Sequence, residues 1–167
     1  SAIQDHYIHC DAALSGSYGA FLEPRVPFDF EDGADSISIS GHKFIGSPIP
    51  SGVIITRRST KDRIAKGVSY IGSMDTTITG SRNGHSPLFL WYAIQKMGIE
   101  GLRARYKHSQ EVAQYCKNEL IKIGEEAWTN EGAITVVFPK ISEAIKGKWQ
   151  LATDDVTHII CMPNVTK

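Results

Sequence analysis

Apolar and small polar residues alternate from Ala34 to Ser40 (ADSISIS). This period-two pattern belongs to a strand with one buried face, and it predicts β-structure over 35–40. A shorter run over 6–10 and a β-branched run over 52–57 predict two more strands, the last of a kind that is buried within a sheet. Pro48 and Pro50 stand just ahead of the third run and forbid a helix there. A long Pro- and Gly-bearing loop over 15–33 separates the first two strands. After the third, a short helix is expected over 59–66, capped by Ser59 or Thr60. Residues 67–84 are polar and rich in Gly and Thr and read as a loop, of a length often tied to function.

From His85 onward the periodicity becomes helical. Residues 88–94 are apolar almost all round and predict a helix buried against the sheet, with Pro87 tolerated in its first turn and Gly98 as its stop. Leu102, Tyr106, Ser109, Ala113, Cys116, Leu120 and Ile123 then recur at steps of four and three. Arg103, Lys107, Glu111, Lys117 and Lys122 fall outside that stripe. A long amphipathic helix bounded by Gly124 follows from this. The tail reads as strand 133–138, helix 142–152 with Ser142 as N-cap, and strand 156–162. The expected division is therefore one domain over 1–100, a connecting helix over 101–123 and the start of a smaller α/β domain over 124–167. The chain opens on a strand and closes just after another, so a segment of a longer protein is expected.

Composition narrows the function classes. Of 167 residues, 41% are hydrophobic and 22% charged, as in an ordinary globular protein. Eighteen basic residues balance eighteen acidic ones, which leaves no electrostatic footprint for nucleic acid. Neither a spanning apolar run nor a signal-peptide pattern is found, so a cytoplasmic protein without membrane contact is expected. Cys10, Cys116 and Cys161 are an odd set without a CxxC pair, which favours reduced thiols over a disulfide frame or a zinc site. His6 and His9, three apart on an expected strand, point to opposite faces, and no metal site is expected. Residues 41–46 have the spacing of a phosphate loop, but Ser47-Pro48 follows where Lys-Ser/Thr is required. There is no GxSxG elbow either.

The chemistry concentrates in Ser40-Gly41-His42-Lys43, at the end of the second expected strand, and in Asp11, at the end of the first. Open α/β sheets bind ligands at the carboxyl ends of their strands. Two neighbouring strands would thus offer an amine and a carboxylate to one crevice. That pair suits pyridoxal 5'-phosphate, which needs a lysine to hold its aldehyde and an acid to keep its ring nitrogen protonated. Burial would raise the carboxyl pKa of Asp11, whereas an adjacent pyridinium would favour the ionised form. The same spacing also suits an Asp11 that caps its turn and a Lys43 that is a solvated amine.

Residues 7–16 (YIHCDAALSG) and 40–50 (SGHKFIGSPIP), with 77–85 (TITGSRNGH) and 134–139 (ITVVFP), resemble the group II pyridoxal phosphate-dependent amino acid decarboxylases, most of all the bacterial histidine-specific branch. The resemblance runs along nearly the whole chain. It implies an α/β fold of type I, aspartate aminotransferase-like, with this chain covering the second half of the large domain and the start of the small C-terminal domain. It also implies a homodimer acting on a small amino acid, with L-histidine converted to histamine and carbon dioxide. Carried over by position, Lys43 would hold the cofactor and Asp11 would partner its ring nitrogen. Ala13 would pack on one ring face, and Ser40 and His42 would lie near the phosphate. Residues 80–84 resemble a segment near the dimer interface, where Arg82 could grip a carboxylate or phosphate.

Two departures accompany the resemblance. The family's phosphate-cradling loop and ring-stacking histidine precede the Asp-Ala-Ala strand, so this chain alone is expected to bind cofactor poorly and to be inactive. The mobile tyrosine-bearing loop of animal members has only Tyr70 as a stand-in, which leaves the proton donor open. The plant serine decarboxylases share SGHK and SRNGH, and residues 89–92 (FLWY) look like theirs, so ethanolamine formation from L-serine is the alternative. A non-catalytic module is the alternative of another class.

Overall fold

The computed structural model describes residues 6–77 and 80–167. Its contacts form two units, one of the residues up to Ala20 with Arg25–Lys96, the other of Phe21–Pro24 with Met97–Lys167.

In the first unit, β1 (His9–Asp11), β2 (Ser36–Ser40) and β3 (Gly52–Thr56) form a sheet in that order. Strands β1 and β2 run parallel with Asp11 opposite Ser38, while β2 and β3 run antiparallel with Ser40 opposite Gly52. The alternation in β2 explains its two faces. Ile37 and Ile39 pack with Ala12, Ala34, Phe28 and Phe30, and burying a side chain such as Ile37 contributes roughly 1.5–3 kcal/mol. The serines look the other way, where the Ser36 hydroxyl meets His9 Nδ1 at 2.6 Å and the Ser38 hydroxyl donates to Asp11.

The loop between β1 and β2 is pinned by Arg25, which donates to both carboxylate oxygens of Asp32 at 3.0 and 2.8 Å and lies 2.8 Å from Asp29. The guanidinium and the backbone N–H groups of Asp29 and Phe28 hold the Asp32 carboxyl down to about 2.

Several expectations need correction. Strand β3 is not buried: Ile54 is 63% and Ile55 42% exposed, and only Val53 and Thr56 are half-buried. Helix α1 (Arg58–Ile64) has Arg57 at its N-cap without a side-chain hydrogen bond, so Ser59 and Thr60 are helical residues rather than caps. The expected loop contains a hairpin of β4 (Lys66–Val68) and β5 (Ser73–Asp75), turned at Gly72 with φ 64°. Its pairing comes from backbone hydrogen bonds in a stretch too polar to show a strand pattern. Residues 78 and 79 of the same stretch lie outside the described residues.

Helix α2 runs from His85 to Lys122 and is broken at Gly98 (φ 60°, ψ −171°), a conformation open to glycine but not to side-chain-bearing residues. Asn83 supplies an N-terminal acceptor, its side-chain oxygen taking the Ser86 N–H at 2.8 Å. The stretch expected to be buried all round instead exposes Leu88, Trp91, Tyr92 and Ile94. One flank of this stretch, including Leu90, is turned inward.

In the second unit, the 99–122 part of α2 buries Tyr106, Ser109 and Ala113 of the four-and-three stripe, half-buries Leu102, Cys116 and Leu120, and also buries Val112, which the stripe did not include. Ile123, the last residue of that stripe, lies beyond the helix and is exposed. A sheet of order β6-β8-β7 is formed by β6 (Thr135–Pro139), β7 (Ala152–Thr153) and β8 (Val156–Ile160), all antiparallel. Val136, Phe138, Thr157 and Cys161 are its buried positions. Helix α3 (Glu143–Trp149) starts where Ser142 Oγ accepts the Ile145 N–H. It ends earlier than expected, at Gln150 in the left-handed region, so that Ala152 joins a strand instead.

Candidate active site

The residues singled out by the sequence lie at one end of the first unit's sheet. Because β1 and β2 are parallel neighbours, their carboxyl ends coincide, and Asp11 and Ser40 terminate them. The Ala13 carbonyl accepts the Ser40 N–H at 3.0 Å, and the Ala12 N–H donates to Ser38 O at 3.0 Å. These two bonds stitch the turn after β1 to the end of β2 beyond the strand ladder itself.

Asp11 is exposed, contrary to the burial expected for it. Its strand is only three residues long. Oδ1 accepts the Ala13 N–H at 3.1 Å and the Ser38 hydroxyl at 3.2 Å, while Oδ2 has no hydrogen-bond partner among the described residues. One oxygen thus orients the carboxylate and the other is open to a ligand.

Beyond Ser40 the chain turns back into β3. The Gly41 N–H donates to Ser51 O at 3.0 Å, Ser47 N–H to Gly41 O at 2.9 Å, and Phe44, wholly buried, anchors the turn against Tyr18 at 5.1 Å between ring centres. Lys43 sits on this turn with its side chain exposed. His42 Nδ1 lies 3.1 Å from both the N and the O of Ser51. The carbonyl is already satisfied by Gly41, so the Ser51 N–H is the group that needs Nδ1 as acceptor. That choice leaves the ring proton on Nε2, facing away from the backbone contact.

Glycine is required at position 41 by close approach. A Cβ there would lie 2.5 Å from Ser51 Oγ and would overlap the end of the Leu90 side chain. Replacing Gly41 by alanine is expected to destabilise the chain by about 1–3 kcal/mol, seen as a lower urea midpoint. The double variant G41A/L90A should recover part of that loss, and simple additivity of the two losses would show that Leu90 is not the obstacle.

The other candidates stand elsewhere. Arg82 Nη1 is engaged by Thr77 Oγ1 and by Gly80 O at 2.9 Å, within its own loop. Tyr70 lies on the β4–β5 turn and is 81% exposed. His6 precedes β1 rather than sharing the strand with His9. Two contributors escaped the sequence reading: Ser38, which orients Asp11, and Ser51, which orients His42. Period two could have put Ser38 on the polar face, but only the β1–β2 register brings it to Asp11.

The class of protein is named by the chain's relatives. The profile of the pyridoxal-dependent decarboxylase conserved domain matches residues 2–141, and the chain belongs to that family. The histidine decarboxylase of Mesorhizobium japonicum is 48% identical over 161 residues, which cover 96% of this chain and 44% of that protein. The histidine decarboxylase of Morganella morganii is 48% identical over 158 residues, covering 94% and 42%. Among solved structures, L-methionine decarboxylase from Streptomyces sp. 590 matches with a TM-score of 0.80 at 31% identity, over 96% of this chain and 40% of that one. The expected fold class, the type I α/β fold, holds. The chain spans less than half the length of these relatives.

The local geometry fits pyridoxal phosphate, the cofactor of the family. A carboxylate oxygen is open, a small alanine side chain stands beside it, and an exposed amine and an imidazole N–H follow on the adjoining strand's turn.

Proposed function

We propose that this chain carries the cofactor-anchoring part of an amino acid decarboxylase that converts L-histidine to histamine and carbon dioxide. The observation that carries the reading is that β1, which ends in Asp11, and β2, which leads into the turn bearing Lys43, are parallel neighbours, in a chain 48% identical to histidine decarboxylases. The cofactor, when bound, supplies the electron sink that accepts the charge left as carbon dioxide departs.

Each residue then has a task. Lys43 Nζ would hold the aldehyde group and is the candidate to return a proton to the substrate's α-carbon. Asp11 would keep the ring nitrogen protonated, since its negative charge would stabilise that proton more as the surroundings become drier. Ala13 leaves room for a flat ring. Ser40 and His42 would hold the phosphate group, through charge-assisted bonds stronger than neutral ones.

The assembly proposed is a homodimer in the cytoplasm, to be checked by light scattering; no helix among the described residues is long and apolar enough to cross a membrane. The substrate is tested by incubating the complete decarboxylase with histidine, serine and aromatic amino acids and identifying the amines formed. Histamine is the expected product. Ethanolamine from serine would move the reading to the plant-like branch, and no amine from any substrate, with no cofactor fixed by borohydride, would replace it with an inert module.

A further inference from the structure

Cys116 and Cys161, remote in sequence, meet in the second unit. Cys116 lies on the 99–122 part of α2, on the face that packs against the sheet core, and Cys161 directly follows β8, its N–H donating to Ile134 O at 2.8 Å. Cys116 packs against the buried cluster that contains Cys161. Both line an open groove of about 450 Å³ with Val112, Leu120, Ile159 and Val165, so small solutes reach the pair from solvent. The two thiols are unequal. Cys161 is 1% exposed, whereas Cys116 is only partly buried and better placed to carry a charge.

We propose that Cys116 and Cys161 form a hydroperoxide-sensitive thiol pair, in which Cys116 is the reacting sulfur and Cys161 the resolving one. The hydrogen bond from Cys161 brings the Cys116 thiol down to about 7, while that bond and burial push Cys161 up. The shift favours a thiolate on the accessible partner near neutral pH, with a protonated thiol lining the same groove. The Cys116 thiolate attacks one oxygen of hydrogen peroxide; the O–O bond breaks, hydroxide leaves and a sulfenic acid forms. The Cys161 sulfur then displaces the sulfenic hydroxyl, an S–S bond forms, and the Cys161 proton leaves with that hydroxyl as water. The first hydroxide takes up the proton that Cys116 had released. Two electrons pass from the pair to the peroxide, which ends as two waters.

The test is a peptide map of the protein exposed to hydrogen peroxide and then blocked with N-ethylmaleimide. The expected result is one cross-linked peptide joining Cys116 to Cys161, a mass lower by two hydrogens, Cys10 still alkylated, and reversal by dithiothreitol. In C161S, oxidation should stop at a dimedone-reactive Cys116, while C10S should behave as wild type. Circular dichroism checks the fold of C161S, and if it fails to fold the wild-type map decides alone. Full alkylation of Cys116 and Cys161 after peroxide, earlier loss of Cys10, or a disulfide between chains would each overturn the proposal.

Discussion

Replacing Lys43 by alanine is expected to lower turnover in the proposed histidine decarboxylation by at least about 10³-fold, the scale set by losing a positioned proton donor in addition to a nucleophilic amine. Stability changes by less than about 0.5 kcal/mol, because the Lys43 side chain is exposed and the turn that carries it is held by Gly41, Ser47 and Phe44. Catalysis and folding are thus separable at this position. Lys43→Arg sharpens the test: the charge is kept, but a guanidinium stays protonated in proteins and is no nucleophile. Both variants should leave the urea midpoint in place while amine production collapses, and borohydride should no longer fix cofactor to the chain. Substantial turnover by either variant would remove Lys43 from the chemistry.

Asp11→Asn should cost about 10²–10³ in kcat, the range for losing one preorganised electrostatic partner of a developing charge. The isosteric amide can still accept the Ala13 N–H and the Ser38 hydroxyl through its oxygen, so the end of β1 keeps its shape. What disappears is the negative charge that would hold a proton on the ring nitrogen. The defect should therefore appear in kcat far more than in KM, and Asp11→Glu should restore part of it. Asp11→Ala loses the two anchoring bonds as well and should add a measurable fall in thermal midpoint that Asp11→Asn does not show. Equal kcat for wild type and Asp11→Asn would refute the electrostatic role.

Much of this site is legible in the chain because its signals are local. SISIS alternates and becomes β2 with its isoleucines inward. Gly98 breaks α2, and Ser142 caps α3. Each depends on one residue's own backbone preference or on side-chain direction within one element. The failures share a cause too. The β4–β5 hairpin forms by backbone pairing in a polar stretch that carries no strand periodicity. Leu88, Trp91, Tyr92 and Ile94, together with Ile54 and Ile55, read as buried by character but are exposed. Hydrophobicity records what a residue would lose in water, not whether a neighbouring element is present to cover it.

By itself the sequence determined the periodicity of its main strands and helices and the two short motifs bearing Asp11 and Lys43, whose resemblance to a known family implied the type I α/β class, since motifs and periodicity are properties of the chain alone. Only the tertiary structure decided that β1 and β2 are parallel neighbours, that Ser38 orients Asp11 and Ser51 orients His42, and that Cys116 meets Cys161. Those are contacts between distant segments, set by strand register and by the packing of a helix on a sheet.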